Sequence, residues 1–342
     1  MPMNSDSSIN KIIFHPRFKD VISEISKLDI KLPSPILQEK FDFSFNSPGI
    51  NIKSNIEKES VISLNPKEGL KSIDLMRIAA YDESKNKFMA LEGTAFMVSH
   101  SLIAISEKDY IPSSFITFNF YTRSKMLSKT GKFIKYSEDP DSDSNRDYHE
   151  DRNSFLLEAV PKNAILFIDG PFIGEQATSY TLKLNDALLK KNIIPIFFVK
   201  NSNSNLVINN VPELKDKYNS DLHWANKTLK PGQRTCLFTY IDKENPKNTK
   251  LFCYLKVFES TAQRIELHPD TFKKYSTIIP SLMNLIYYFM LVQGNPMNPQ
   301  IRPIAIAEIY ARSTLSLVSF TKTMSQLGIT PTMNQNRGFT QG

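Results

Sequence analysis

A strand–helix–strand pattern in the middle of the sequence constrains the fold more than any other feature. Residues 164–168 are an unbroken apolar run that ends at Asp169 and Gly170, which predicts a buried strand followed by a turn. Residues 176–191 predict a helix, and the apolar run 193–199 predicts a second buried strand. Strands joined by a helical crossover pair in parallel, so the pattern predicts an α/β fold.

Weaker signals divide the rest of the chain. Apolar residues at helical spacing predict a helix over residues 18–28, and a polar arm that contains prolines follows it. Further strands are predicted over residues 75–81, 88–98, 102–105, 115–121, 234–240 and 251–258, and closing helices over residues 270–292 and 304–327. We expect three regions: an N-terminal helix and extended arm (1–70), a main domain (71–329) and a flexible tail (330–342).

The charge balance points to an anionic partner. The chain of 342 residues has a formal net charge of +7 and a pI near 9.1, which favours nucleic acid. The two cysteines, Cys236 and Cys253, lack metal-ligand spacing, the first residues are polar, and the apolar stretch around residues 278–292 is too short to span a bilayer. We therefore expect a soluble cytoplasmic protein with no membrane contact, associated with the nucleoid.

Acidic residues occupy positions that suit a metal site. Asp82 follows one predicted strand and Asp169 ends another. Glu150 and Asp151 begin a predicted helix after an acid-rich loop. Mg²⁺ and Mn²⁺ prefer carboxylate oxygens, and such ions stabilise both the attacking and the leaving oxygen of a phosphodiester. On the residues alone, a metal nuclease stands beside the simpler interpretation that Asp169 caps a helix or begins a turn.

The order of these segments resembles the NurA family, the nucleases that work with the HerA hexameric ATPase in DNA-end resection. In that family one strand ends in an Asp-Gly-Ser type motif, a helix carries a Glu followed by Arg, and a second apolar strand ends in Asp-Gly. The similar segments here are residues 78–84, 150–157, 166–172, 194–200, 232–234, 263–266 and 302–311. The resemblance extends over residues 73–327.

The resemblance implies a ribonuclease-H-like mixed sheet flanked by helices. It also implies a metal-dependent deoxyribonuclease, a 5'–3' exonuclease and/or single-strand endonuclease, that acts as a homodimer with a HerA-like ATPase in DNA repair. Mn²⁺ or Mg²⁺ would be held by Asp82, Asp169 and one helix acid. That acid is either Glu150, which has the longer reach, or Asp151, which fits the register. Further roles in catalysis or DNA binding fall to Lys200, Arg234, Arg264, Arg302 and Tyr310.

The chain also departs from the family pattern. Glu83 stands where the family has a glycine. The family's C-terminal histidine is replaced by Tyr310 or Glu308, depending on the register, and its tyrosine by Arg302 or Gln300. A catalytically degenerate NurA-like protein that binds DNA or a partner is therefore the alternative, and an unrelated nucleic-acid-binding α/β protein is the third hypothesis. Convergence of the predicted acids in the structure distinguishes among these.

Overall fold

The computed structural model describes residues 23–24, 45–47, 50–53, 57, 60–74, 76–105, 110–174, 178–200, 202–326, 328–329 and 332. The chain divides into two compact units, Met1–Ile36 and Leu37–Gly342, and the elements below belong to the second. Apart from residues 23–24 and 332, the predicted N-terminal helix and the predicted flexible tail lie outside the described residues.

In the described residues, thirteen strands form one mixed sheet. They are β1 (Phe45–Ser47), β2 (Ile50–Lys53), β3 (Val61–Ser63), β4 (Arg77–Met89), β5 (Thr94–Ile105), β6 (Tyr110–Thr122), β7 (Ile134–Tyr136), β8 (Ala164–Asp169), β9 (Ile194–Val199), β10 (Gln233–Thr235), β11 (Phe238–Asp242), β12 (Thr249–Lys256) and β13 (Gln263–Leu267). The strand order is β1-β2-β11-β12-β13-β9-β8-β4-β5-β6-β7, and β10 pairs with β3 and β12.

The part β6-β5-β4-β8-β9 has the ribonuclease-H-like arrangement that the resemblance implies. β4, β5 and β6 form an antiparallel meander, whereas β4, β8 and β9 pair in parallel. The predicted mixed α/β sheet is therefore confirmed.

Eight α-helices accompany the sheet in the described part of the chain. They are α1 (Pro66–Lys71), α2 (Pro140–Ala159), α3 (Thr178–Lys190), α4 (Asp221–Thr228), α5 (Pro269–Tyr275), α6 (Ile279–Gln293), α7 (Arg302–Ser316) and α8 (Phe320–Gln326). α6 ends at Gly294, which adopts a φ of 64° in the left-handed region that suits glycine.

Two predicted boundaries are corrected next to the acidic positions. β4 does not end before Asp82 but continues to Met89, because its hairpin with β5 supplies hydrogen bonds beyond the end of β8. α2 begins at Pro140 rather than near position 150, because the Asp139 side chain caps it by accepting a hydrogen bond from the Ser142 N–H. The acid-rich segment is thus the first part of a helix rather than a solvated loop.

The predicted closing helices are also each divided in two. The first splits into α5 and α6, which are bent by 108° relative to each other. Within the described residues no single helix is long and apolar enough to cross a membrane, and only this bent pair passes by length and composition. The second splits into α7 and α8 at residues 317–319.

The two faces of the central strands carry different helices. Ala80 and Phe167 belong to the core formed with α6 and the start of α7. Tyr81 and Ile168, the next residues on the same strands, belong to the core formed with α2 and α3. Because side chains alternate along a strand, the second residue after Ala80 or Phe167 also faces α6 and α7, and the second residue after Tyr81 or Ile168 also faces α2 and α3.

Candidate active site

Four charged side chains meet where the central strands approach α7. Lys200 Nζ lies 2.9 Å from Asp169 Oδ2, 3.3 Å from Glu308 Oε2 and 3.9 Å from Asp82 Oδ2. We call Asp82, Asp169, Lys200 and Glu308 the Lys200 cluster. Three carboxyl groups share one ammonium group, so all three cannot ionise together without an excess of negative charge.

The parallel strands bring the two aspartates together. The β4–β8 ladder ends one residue before Asp82 and one residue before Asp169, so the two lie side by side. Strand alternation puts both on the face that carries Ala80 and Phe167. Lys200 directly follows β9, the parallel neighbour of β8 on its other side.

Glu308 reaches the cluster from α7, which packs across β4, β5 and β6. Pro303 lies in the first turn of α7, where its missing N–H is not needed. The helix buries an apolar stripe, and Glu308 lies in that stripe one turn after Ile304. The small side chains of Ala307 and Ala311 lie on the same stripe. They let the helix approach the sheet closely, so the carboxylate meets Lys200.

Further contacts hold Glu308 in its ionised form. Gln300 Nε2 donates a hydrogen bond to Glu308 Oε2 at 3.1 Å, and the exposed Arg312 guanidinium pairs with the other oxygen. Burial raises the pKa of Glu308, but the hydrogen bond from Gln300 and the charge of Lys200 outweigh it, so the pKa is lowered.

The two aspartates resist ionisation. The pKa of Asp82 is raised to about 8, first by burial and then by the charges of Asp169 and Glu83. Burial also raises the pKa of Asp169, although Lys200 opposes the shift. Neighbouring carboxyl groups of this kind favour uptake of a proton or of a cation.

A cleft of about 800 Å³ opens beside Asp169 on the α2 side of the sheet. Its lining combines the cations Lys85 and Arg152 and the ring of Tyr148 with four acidic residues, Glu83, Asp139, Asp141 and Asp169. The Arg152 guanidinium lies 5.9 Å from the centre of the Tyr148 ring. The two cations and the ring are the groups of this lining that can contact the phosphates and bases of a nucleic-acid strand.

α2 turns both Asp141 and Arg152 towards β4 at this cleft, and Asp141 pairs with Lys87 at 2.7 Å. Arg152 is 5% exposed and lies near Glu83, the residue after Asp82. Burial raises the pKa of Glu83, whereas a hydrogen bond from Tyr148 and the charge of Arg152 lower it and leave a net rise. Arg152 therefore acts on Glu83 electrostatically between α2 and β4, while its guanidinium donates hydrogen bonds to Asn153 and Thr181.

The structure does not bring the predicted helix acids to the aspartates. The Glu150 side chain is exposed on α2. The pKa of Asp151 is raised by burial and by the charge of Asp147, and Lys135 and Thr117 oppose the rise. Asp151 thus faces β6 and β7. This corrects the expectation that either acid meets Asp82 and Asp169, and the physical reason is that α2 turns Arg152 to the strand ends.

A family model for the NurA domain matches residues 78–292, which is more than half of the chain. The chain belongs to the NurA family. The matched region of this NurA protein contains Asp82, Asp169 and Lys200 but ends before Glu308.

The chain is also similar to solved structures, of which the first named here supports the fold. The NurA nuclease from Sulfolobus solfataricus has a TM-score of 0.50 and 12% identity, over 90% of this chain and 94% of that chain. A crystal structure of NurA with manganese has a TM-score of 0.38 and 9% identity, over 71% of this chain and 88% of that one. Endonuclease V from Bacillus subtilis has a TM-score of 0.37 and 10% identity, over 75% and 84%. No curated protein matches the sequence.

Arg234, predicted to contact DNA, is buried inside this NurA protein. It is 2% exposed, and its guanidinium donates to the Glu57 carboxylate at 2.8 and 2.6 Å. The prediction placed Arg234 on a hairpin strand that lines a DNA groove, but in the structure the residue lies on β10, which pairs with both β3 and β12. The side chain therefore has no surface to offer to DNA.

Arg264 is likewise committed to an internal carboxylate. Its Nε lies 2.8 Å from Glu266 Oε1, and Lys250 Nζ lies 2.6 Å from the same oxygen. Glu266 also accepts a hydrogen bond from the Phe172 N–H at 2.8 Å. We call Lys250, Arg264 and Glu266 the Glu266 cluster. It fastens the loop after Asp169 to β13, so Arg264 has a structural partner in place of the predicted phosphate.

The remaining predicted residues lie on α7. Arg302 begins the helix, and its Nε donates to the Tyr110 hydroxyl at 3.3 Å. Tyr310 is 39% exposed and lies two residues after Glu308, nearly on the opposite side of the helix. Of the two candidates for the position of the family histidine, Glu308 is thus the one that joins the Lys200 cluster.

Of the two further residues of the site, Glu308 and Arg152, only Glu308 carries a signal in the sequence. Glu308 interrupts an apolar stripe of α7, and a carboxylate at such a position needs a partner. Arg152 shows no comparable signal, since a polar helix such as α2 exposes most of its charges. Its burial depends on the tertiary packing of α2 against the sheet.

Proposed function

We propose that this NurA protein is a divalent-metal-dependent DNA nuclease. The observation that carries the proposal is the pair of the buried Asp82 and the partly exposed Asp169, which lie on adjacent parallel strands and face one cationic atom. The neighbouring cleft with Lys85 and Arg152 offers a path for an anionic strand. The positive net charge of the chain favours the same substrate.

The donor chemistry of the Lys200 cluster fits a hard divalent cation once Lys200 moves aside. Mg²⁺ and Mn²⁺ prefer carboxylate oxygens. In the described part of the chain, no three His, Cys, Asp or Glu side chains are grouped to hold a metal ion as they stand. Instead, the Lys200 ammonium lies among the carboxylates. Beside them, Gln300 Oε1 is buried and without a hydrogen-bond partner among the described atoms, so an acceptor remains for a water near the ion.

Each residue then has a distinct role in phosphodiester hydrolysis. Asp82 and Asp169 would hold the ion, and when bound it supplies the Lewis acidity that activates water and offsets phosphate charge. Lys200, released from the carboxylates, would pair with the phosphate as a mobile point charge. Arg152 and Lys85 would orient the strand along the cleft.

The test is cleavage of end-labelled single- and double-stranded DNA with Mn²⁺ or Mg²⁺. We expect metal-dependent cleavage by the wild type, its loss in Asp169→Asn, and full activity in Glu150→Gln, which changes an exposed carboxylate of α2. Absence of cleavage by pure wild type with either metal would contradict the proposal.

We extend the proposal to the partners of the family. A HerA-like hexameric ATPase and a second copy of the chain would assemble with it at DNA ends, where it would act as a 5'–3' exonuclease and/or an endonuclease. The support is family membership. Light scattering would measure the copy number, and co-purification with the ATPase, followed by cleavage with and without ATP, would test the assembly.

A second candidate function is a DNA- or partner-binding subunit without catalysis. The observation that favours it is that two cations occupy positions suited to metal chemistry: Lys200 among the three carboxylates and Arg152 on the helix. In that case the wild type would bind DNA and the partner but would bind no Mn²⁺, which equilibrium dialysis measures directly.

A further inference from the structure

We propose that Glu308 is the third carboxylate of the cation site, in place of an acid from α2, and that the divalent ion takes the position now held by the Lys200 ammonium. This inference rests on the proposed metal-dependent function, and it assigns a ligand outside the region that the family model matches.

Asp82, Asp169 and Glu308 surround one common centre. Asp82, Asp169 and Glu308 come from two strands and a helix that are far apart in sequence, yet each places a carboxylate oxygen within 3.9 Å of one nitrogen atom. A resident ammonium at this centre shows that the three groups already create a site for a cation. A divalent ion would neutralise more of the three negative charges than one lysine does.

The acids of α2 have partners outside the Lys200 cluster. Asp141, which lines the cleft, pairs with Lys87 at 2.7 Å. Glu150 is exposed, Asp151 is held in the surroundings of Asp147 and Lys135, and the residue turned to the strand ends is Arg152. A third carboxylate must therefore come from another element, and α7 is the element that brings one.

Gln300 supports the cation site independently of the acids. Gln300 is 4% exposed, and its amide lies against the cluster because Nε2 donates to Glu308. Its Oε1 has no hydrogen-bond partner among the described atoms. A buried acceptor without a donor is costly, and a water molecule in the shell of an ion next to Glu308 would satisfy it.

The charges around the cluster also allow a divalent ion to replace the Lys200 ammonium. Lys200 is partly exposed, with 24% of its side chain accessible, so its flexible stem can move the ammonium out of the cluster. Arg312 also pairs with Glu308, but 72% of its side chain is exposed, so it orients the carboxylate from outside without filling the centre.

The experiment measures Mn²⁺ binding to the full chain by the electron paramagnetic resonance signal of free Mn²⁺. Glu308→Gln should weaken binding by roughly tenfold or more, and Asp169→Asn should abolish it. Lys200→Met should tighten binding by a similar factor, because the ion no longer displaces an ammonium group. Glu150→Gln and Asp151→Asn are the matched controls and should bind as the wild type does.

The outcomes distinguish failure of the role of Glu308 from failure of the nuclease proposal. If the wild type binds Mn²⁺, Asp169→Asn does not, and Glu308→Gln binds normally, the role of Glu308 is overturned and the nuclease proposal stands. If the wild type binds no Mn²⁺, both fail. If Lys200→Met weakens binding, the ion does not take the position of the ammonium. Melting curves without metal confirm that each variant folds, and Lys200→Met tests the inference even if Glu308→Gln is unstable.

Discussion

The Lys200 cluster and the Glu266 cluster lie on neighbouring strands of one sheet and balance their charges in opposite ways. In the first, three carboxylates surround one ammonium group. In the second, one carboxylate pairs with two cations and accepts a hydrogen bond from the Phe172 N–H. The pKa of Asp82 is raised to about 8 by burial and like charge. Burial also raises the pKa of Glu266, but Lys250 and Arg264 outweigh it and lower the pKa.

The difference indicates that the Lys200 cluster, and not the Glu266 cluster, is suited to bind a further cation. The Glu266 carboxylate is fully buried and its charge is matched by fixed partners, so it needs nothing from solution. The Lys200 cluster has three carboxyl groups for one ammonium group, and burial and the Asp169 charge keep Asp82 protonated up to about pH 8. The cluster is also partly accessible, with 22% of the Asp169 side chain exposed. Carboxyl groups with raised pKa values at an accessible position are the features of a functional site rather than of a structural one.

The largest expected effect would come from breaking the balanced cluster. Glu266→Gln leaves Lys250 and Arg264 buried without a countercharge, so we expect the free energy of unfolding to fall by about 3–5 kcal/mol. Urea denaturation measures it. The matched control is Glu259→Gln, which removes the partner of Lys256 at an 83% exposed side chain and should cost at most about 1 kcal/mol. Equal effects at the two positions would contradict the structural role of Glu266.

A smaller effect should follow from binding of a divalent cation to the Lys200 cluster. Mn²⁺ at 100 times its dissociation constant should stabilise the wild type by about 2.7 kcal/mol through mass action. Thermal melting with Mn²⁺ and then with excess EDTA measures the gain and its reversal. Asp169→Asn should show no gain, whereas Asp151→Asn should keep it. A gain that survives in Asp169→Asn would place the ion elsewhere.

The last prediction concerns the pH dependence of the Lys200 cluster. The folded protein holds the Asp82 proton up to about pH 8, whereas an unfolded chain releases it near 3.8. The folded state therefore binds more protons between these values, and the Asp82 contribution to stability falls as the pH rises. Asp82→Asn does not titrate, so its stability relative to the wild type should increase from pH 5 to pH 8, by about 1.4 kcal/mol per pH unit over most of this range.

Metal-free melting curves across this pH range test the expectation. A constant difference between Asp82→Asn and the wild type would mean that Asp82 is ionised throughout, and the contrast between the clusters would then be lost. Glu266 should contribute the opposite slope, because its lowered pKa makes its stabilisation disappear only as the pH falls below its ordinary range.

The sequence predicts the part of the fold that local signals determine. The run before Asp169 is a strand in the structure, and the following helix and strand confirm the parallel unit, because short apolar runs without polar interruptions fit only a buried sheet. The N-terminus of α2 was also readable, since an Asp-Pro pair followed by acids is a capping signal, but the high polarity of the segment favoured a loop.

The third acid could not be derived in the same way. Glu150 and Asp151 were predicted from their order along the chain, but the direction of a helical side chain depends on how the helix packs, and Arg152 differs from Asp151 by only one position. Glu308 meets Asp82 only because β4 and α7, which are distant in sequence, pack together. Burial of Arg234 and Arg264 likewise depends on neighbouring strands that no local pattern identifies.

The two cysteines offer a practical route to the distances that matter. Cys236 and Cys253 are both buried and form no disulfide, so neither side chain is accessible to a labelling reagent under native conditions, and burial also raises the pKa of Cys253 to about 12. A cysteine introduced on the exposed face of α2 would therefore be labelled selectively in the otherwise unaltered chain. A nitroxide at that position would act as a ruler, and its magnetic coupling to Mn²⁺ would locate the ion without a crystal.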